Sequence, residues 1–205
     1  VAGQGVDTVQ ATASHTLSDH VENLTLTGAS AIDGTGNAGN NTLTGNGAAN
    51  VLRGGGGVDT FVAGGGHDRI VLAQPGEVGT VDGGSGDDWL QFTAPGLAVD
   101  LRTLVGPVQN IEGVQLADGA AGTALTLDAL SVASLADARN ALQVQLDNGD
   151  TLTITSTYVE TSRVTAPDGA VTASYQLYTG TDTSLPPSST LNVYWLAPGA
   201  PPPPG

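Results

Sequence analysis

The chain has 205 residues with 20 acidic and 5 basic side chains, a formal net charge of −15, 30 glycines and no cysteine. This balance excludes a phosphate-binding basic patch, and with it nucleic acid as a partner; an anionic membrane surface is disfavoured for the same reason. The missing cysteines exclude a disulfide framework and thiolate zinc sites, and no apolar run is long enough to read as a membrane span or a secretory leader.

In chain order, the first feature is a nine-residue phrase at residues 2–10, Ala-Gly-Gln-Gly-Val-Asp-Thr-Val-Gln. Because residue 1 opens directly on it, the chain reads as part of a longer protein. Residues 11–35 follow, and in them Leu24 and Leu26 alternate with threonine, the pattern of a half-buried strand. His15 and His20 lie in a Ser/Asp-bearing stretch and read as exposed surface.

Four continuous nonapeptides occupy residues 36–44, 45–53, 54–62 and 63–71. The third, Gly-Gly-Gly-Gly-Val-Asp-Thr-Phe-Val, fits G-G-x-G-x-D-x-U-x at every position, U being a large apolar residue. The fourth departs only at its first residue, Ala63. Residues 72–82 then break the register, and residues 83–91 restore it as Gly-Gly-Ser-Gly-Asp-Asp-Trp-Leu-Gln. Across the six blocks, position six is Asp7, Asn41, Asn50, Asp59, Asp68 and Asp88. Position eight is Val9, Leu43, Leu52, Phe61, Ile70 and Leu90. A flexible glycine-rich linker would not lock two positions to one period.

The spacing carries chemistry. Glycines permit positive φ and close backbone approach, and their carbonyls with a carboxylate are the hard oxygen donors calcium prefers. The candidate metal residues are therefore Asp59, Asp68 and Asp88, the weaker Asn41, Asn50 and Asp7, and the turn glycines Gly54, Gly56, Gly65 and Gly84. Each x-U-x is expected to be a very short strand with its apolar residue inward. Two blocks make one turn of a solenoid, so residues eighteen apart stack. One edge then carries Asn41 and Asp59, with Glu77 in the sixth position if residues 72–80 form a degenerate block. The other edge carries Asn50, Asp68 and Asp88. Bare carboxylates about 4.8 Å apart would repel by roughly 3–4 kcal/mol at an effective dielectric near 20. The array is accordingly expected to be disordered without calcium and ordered with it. Asp87 reads as either a solvated loop residue or added charge near the ion, and His67 as solvent-facing.

From residue 92 the glycine density falls. Leu127, Leu130, Leu135, Ala138 and Leu142 are spaced for one face of a helix within residues 126–142, with Asp128 suiting its N-terminal dipole. Residues 143–147 and 150–154 flank Asn148-Gly149, the preferred two-residue hairpin turn. A second hairpin is expected at Pro167-Asp168-Gly169, leading into Val171 to Tyr178, and a last strand over Thr190 to Leu196. Tyr158, Tyr175, Tyr178, Tyr194 and Trp195 read as a small core, with an exposed binding face as the alternative. The Pro-rich end reads as an extended linker. Val108-Gln109-Asn110-Ile111 echoes Val21-Glu22-Asn23-Leu24, a hint of a distant internal repeat.

The expected domains are residues 1–91, a calcium-binding roll; residues 92–196, a β-rich C-terminal domain; and residues 197–205, a tail. The fold class is all-β: a parallel β-roll followed by a mainly antiparallel β region with a short helix. No H-E-x-x-H or G-x-S-x-G motif occurs, and neither cysteine nor lysine is present as a nucleophile, so a non-enzymatic protein is expected.

Residues 21–91, through the nonapeptides and the Val21–Gly28 and Gly36–Leu43 phrases, resemble the RTX (haemolysin-type calcium-binding) proteins of Gram-negative bacteria, including large adhesin-like surface proteins. The resemblance implies a right-handed β-roll, calcium as cofactor, type I export and an extracellular or cell-surface location. It leaves three roles open: a structural or adhesion module, a self-assembling subunit of a surface layer or filament, or the accessory module of a secreted protease or lipase. Expected partners are calcium, and either a second copy of the chain or a cell-surface ligand.

Overall fold

The computed structural model describes residues 5–104, 107–116, 122–135, 141–147, 150–155, 158–165, 171–177 and 190–196. The chain runs through β1 (Thr8–Ala11), β2 (His15–Thr16), β3 (Asn23–Leu26), β4 (Gly34–Thr35), β5 (Thr42–Thr44) and β6 (Val51–Arg53). It continues through β7 (Asp59–Val62), β8 (Arg69–Leu72), β9 (Val78–Asp82), β10 (Trp89–Phe92), β11 (Ala98–Asp100) and β12 (Val108–Gln109). Residues 1–92 and 107–111 form one compact unit.

Within that unit the strands alternate between two sheets. One runs β1-β3-β5-β7-β9-β12; in the other, β2-β4-β6-β8-β10 lie side by side. Every pairing between these strands is parallel. Two-residue hairpins cannot produce this; the chain must cross to the opposite sheet after each short strand, which is the winding of a β-roll. The expected stacking interval holds where the repeats are regular: Leu43 pairs with Phe61 and Leu52 with Ile70. Leu24, Leu43, Phe61, Val81 and Val108 file through the core on one sheet, and Leu52, Ile70 and Leu90 on the other, each at most 1 % exposed. A roll this thin has no second layer to refill a void. Phe61→Ala should therefore cost about 3–5 kcal/mol, read as a lowered denaturant midpoint at saturating calcium; a loss below 1 kcal/mol would mean that Phe61 is not a core residue.

The irregular segment 72–82 corrects one expectation. Phe61 pairs with Val81, twenty positions on, and Asp59 with Val78, with a register shift between Asp59 and Thr60. The two extra residues are absorbed by a 3₁₀ turn at Pro75–Glu77, so the repeat register runs back from residue 83 rather than forward from residue 72. Position six is then Gly79, not Glu77. A Cβ on Gly79 would sit 2.6 Å from the Asp59 carbonyl oxygen, so the tight stack leaves no room for a side chain there. Glu77 instead closes its own turn, its Oε2 accepting the Ala73 N–H at 2.7 Å.

The echo at 108–111 is likewise out of register. Val108 pairs with Val81 in the core file, the place Leu24 occupies in its own turn by pairing with Leu43. Asn110 adopts φ 55° and donates from Nδ2 to Asp82 Oδ1 at 2.8 Å, whereas Asn23 lies inside β3. The shared letters do not mark one structural unit.

The second unit comprises residues 93–106 and 112–205. Its further elements are β13 (Gly113–Gln115), β14 (Ala124–Leu127), α1 (Ala129–Leu135), β15 (Ala141–Asp147) and β16 (Thr151–Ile154), then β17 (Tyr158–Thr165), β18 (Val171–Leu177) and β19 (Thr190–Leu196). β17 and β18 pair antiparallel, as the second expected hairpin requires, and β18 pairs antiparallel with β19. The hairpin around Asn148-Gly149 does not form. β15 has β13 on one edge and β19 on the other, both parallel, while β16 pairs in parallel with β14. A strand has only two edges, and those of β15 are taken. The sheets of this unit are thus largely parallel, in place of the expected antiparallel region. The helix is also shorter than its apolar spacing suggested. Leu127 belongs to β14 and Leu142 to β15. Asp128 Oδ1 accepts the Ser131 N–H at 2.8 Å and Ser131 Oγ accepts the Asp128 N–H at 2.9 Å, a reciprocal cap that starts α1.

The aromatic cluster concerns side chains outside the described residues, and the Pro-rich tail lies outside them altogether. No described helix is long and apolar enough to cross a membrane.

Candidate metal centre

Position six of the repeat always falls at or just before the start of a strand, where the turn meets the core. Asn41, Asn50, Asp59, Asp68 and Asp88 are all buried, at 3 % exposure or less. They form two ladders, one at each edge of the roll. Asp59 Oδ1 accepts the Asn41 N–H at 2.8 Å on the first. On the second, Asp68 Oδ1 accepts the Asn50 N–H and Asp88 Oδ1 the Asp68 N–H, both at 2.7 Å. Each side chain thus ties its own turn to the turn beneath, as the eighteen-residue stacking anticipated.

One oxygen per carboxylate is used in this way. The second oxygen, Oδ2, of Asp59 and of Asp68 is buried with no hydrogen-bond partner. A buried charged oxygen without a partner is strongly unfavourable, and the consequence appears in their acidities. Burial pushes the Asp59 carboxyl up to about 6, against the Asn41 N–H, which holds it down; Glu77 adds repulsion. Burial pushes Asp68 up to about 7, again opposed by the Asn50 N–H, with the neighbouring Asp88 carboxylate raising it and His67 lowering it. A cation at these oxygens removes both penalties at once.

The backbone around them is shaped to match. In the three aspartate turns the second and fourth positions have positive φ: Gly55 and Gly57 at 100° and 81°, Gly64 and Gly66 at 101° and 112°, Gly84 and Gly86 at 91° and 143°. Only glycine takes these angles freely, which is why the motif needs glycine there. On the second edge the turns also stack by backbone hydrogen bonds, Ser85 N–H to the Gly64 carbonyl and Gly66 N–H to the Ser85 carbonyl. Gly65 bridges Ser85 in parallel, while Gly54 is buried, Gly56 half-buried and Gly84 exposed. Among the described residues no three His, Asp or Glu side chains converge on one point. An ion would therefore take one or two carboxylates and complete its shell with main-chain carbonyls and water, an all-oxygen donor set that suits calcium. Asp68 and Asp88, on adjacent glycine-rich turns, are the most complete pair.

Asp7 falls outside the ladders, and the three histidines are exposed, as their sequence context suggested. Asp7 is exposed; its N–H donates to Glu22 Oε2 at 2.8 Å, and it is not part of either ladder. His15 lies exposed on β2 and His20 adopts φ 66°. His67 is exposed and its Nδ1 accepts the Asp87 N–H at 3.0 Å, a fifth-position tie between turns matched on the other edge by Asn40 Oδ1 and the Val58 N–H at 2.8 Å.

Sequence reasoning passed over Asn37 and Asn46, at position two of the asparagine blocks, and Asp82. The asparagines bridge turns through their amides. Asp82 gathers the Gly84 N–H and the Gln109 and Asn110 amides. For the two asparagines the signal was present: where the motif demands glycine at position two, these blocks place asparagine.

No curated protein matches the chain, and no solved structure does. One family matches, the RTX calcium-binding nonapeptide repeat, in four copies over residues 35–70 and 80–91. That span holds Asn41, Asn50, Asp59, Asp68 and Asp88, and leaves out Asp7, the one sixth-position residue that stands apart from the ladders. Motif, winding and orphaned carboxylate oxygens agree: the chain carries an array of RTX repeats, a calcium-binding β-roll.

Proposed function

We propose that this chain is a non-enzymatic, calcium-stabilised structural or adhesion module of a secreted bacterial surface protein, with calcium acting as a folding ligand rather than a catalytic one. The observation that carries the reading is the pair of partnerless buried oxygens, Asp59 Oδ2 and Asp68 Oδ2, in turns whose glycines already hold positive φ. These groups make the metal-free roll costly and the loaded roll stable, so binding energy becomes folding energy. A module that needs an ion to fold suits a place where that ion is abundant.

Sites built from one or two carboxylates and carbonyls are of low charge count, which supports weak affinity of the kind extracellular calcium modules have, at dissociation constants of about 10⁻⁴–10⁻³ M. Calorimetric titration of the metal-free chain should give binding in that range, coupled to a gain in β signal by circular dichroism. Binding tighter than about 10⁻⁶ M would fit a cytosolic calcium protein and overturn the extracellular reading.

A further inference from the structure

The roll uses two chemically different kinds of turn. In the Asp59 and Asp68 turns the sixth residue carries a buried oxygen, Oδ2, that needs a cation. In the asparagine turns the atom in the same place, over the first-position glycine, is Oδ1, and it is already engaged, while Nδ2 replaces the aspartate Oδ1 that reaches the turn beneath. Asn41 Nδ2 donates to the carbonyls of Val21 at 3.0 Å and Glu22 at 3.3 Å. Asn50 Nδ2 donates to the Ile32 carbonyl at 2.6 Å.

The position-two asparagines repeat the device. Asn37 Nδ2 bridges the carbonyls of Ser18 and Val21, both at 2.8 Å, and Asn46 Nδ2 reaches the Ser30 carbonyl at 2.9 Å. The other end of each sixth-position amide is also satisfied: Asn41 Oδ1 accepts the Asn37 N–H at 2.7 Å and Asn50 Oδ1 the Asn46 N–H at 2.9 Å. An oxygen facing an N–H and a nitrogen facing carbonyls fix the amide orientation at both ends. None of Asn37, Ala38, Gly39, Asn46, Gly47 or Ala48 has the positive φ of the aspartate turns.

We propose that residues 18–53 form a calcium-independent segment of the roll, its turns locked by asparagine amides whose Oδ1 accepts an N–H where the Asp59 and Asp68 turns leave an oxygen unpartnered, and whose Nδ2 ties each turn to the one beneath. The two kinds of turn are joined in series. β7 pairs with β5, and β8 with β6. The locked segment therefore offers two formed strand edges on which the calcium-dependent turns add. In a solenoid each turn contacts only its neighbours, so a preformed end removes the cost of nucleation and leaves growth to the ion. Calcium then switches residues 54–92 alone. This inference rests on the reading of the Asp59, Asp68 and Asp88 turns as calcium sites.

Hydrogen exchange of the full chain, with 5 mM calcium and after chelation, tests it. Amides of residues 23–53 should stay protected in both states, and those of residues 59–92 should be protected only with calcium. Asn50→Asp keeps the size and the Oδ1 acceptor but removes the donor to Ile32. It should speed exchange in residues 32–53 by about tenfold without calcium and by less with it. Should Asn50→Asp fail to fold, Asn46→Ala, at a half-buried position outside the core, reports on the same lock through its donor to Ser30. Loss of protection across residues 23–53 together with residues 59–92 on chelation overturns the lock. Protection of residues 59–92 that survives chelation instead overturns the calcium sites, and the proposed contrast between the segments falls with them.

Discussion

Asp68→Asn is expected to act in opposite directions on the two states of the roll. The substitution keeps the Oδ1 that receives the Asn50 N–H and removes the charge on the partnerless Oδ2. Without calcium the variant should be more stable than the parent above pH 7. An aspartate whose carboxyl sits near 7 instead of 3.8 carries a penalty of roughly 4 kcal/mol when ionised, the Asp88 repulsion included. With calcium the variant loses one of its few charged ligands, and the concentration needed to fold residues 54–92 should rise by about ten- to a hundredfold. Trp89, half-buried on β10 and paired with Arg69 on β8, reports the transition by fluorescence. Asp19→Ala, at an exposed turn position outside the ladders, should leave the titration unchanged. An Asp68→Asn chain with the parent's calcium midpoint would show that Asp68 is not a ligand.

The metal-free roll should also be more stable at pH 5 than at pH 8, opposite to most proteins held by salt-bridged carboxylates. Asp59 and Asp68 have folded-state acidities raised from 3.8 to about 6 and about 7, so the folded state binds protons more tightly than the unfolded chain. Their contribution is fully present below about pH 4 and is lost as pH rises through 6 for Asp59 and 7 for Asp68. Ionising both costs roughly 3 and 4 kcal/mol respectively. The net charge of −15 favours the same direction through general repulsion, so the double variant Asp59→Asn/Asp68→Asn separates the causes: it should flatten most of the slope. With saturating calcium the order should reverse, because protons compete with the ion for the same oxygens. Thermal melts of calcium-stripped protein across pH 4–8 check this, and a midpoint that climbs steadily toward pH 8 would refute it.

The regular repeats were legible because their chemistry is local. A nine-residue period locking Asp or Asn to position six and an apolar residue to position eight dictates a short strand, an inward side chain and a turn that only glycine permits. Those constraints hold whatever surrounds them, and they placed Leu43 over Phe61 and Leu52 over Ile70. Where the period broke, local reasoning lost its ruler. Counting forward from residue 72 put Glu77 in the ladder, whereas the core demanded an apolar partner for Phe61, took Val81, and pushed the extra residues into a 3₁₀ turn.

Asn148-Gly149 shows the same limit. The dipeptide favours a turn, but whether the flanking strands pair with each other depends on which edges are vacant, and β13 and β19 had already occupied those of β15. The asparagine turns are intermediate. Their departure from glycine at position two was visible in the letters, yet only the stacked turns reveal that an amide reaches a carbonyl 16 to 18 residues earlier.

By itself, then, the sequence determined the repeat, whose constraints act within one or two turns, and the resemblance that repeat carries implied the ion and the parallel winding. The tertiary structure decided which sixth-position side chains leave a buried oxygen without a hydrogen-bond partner, and where the ladder ends. It also decided how the C-terminal strands pair, because those outcomes depend on burial and on competition for strand edges between residues far apart in the chain.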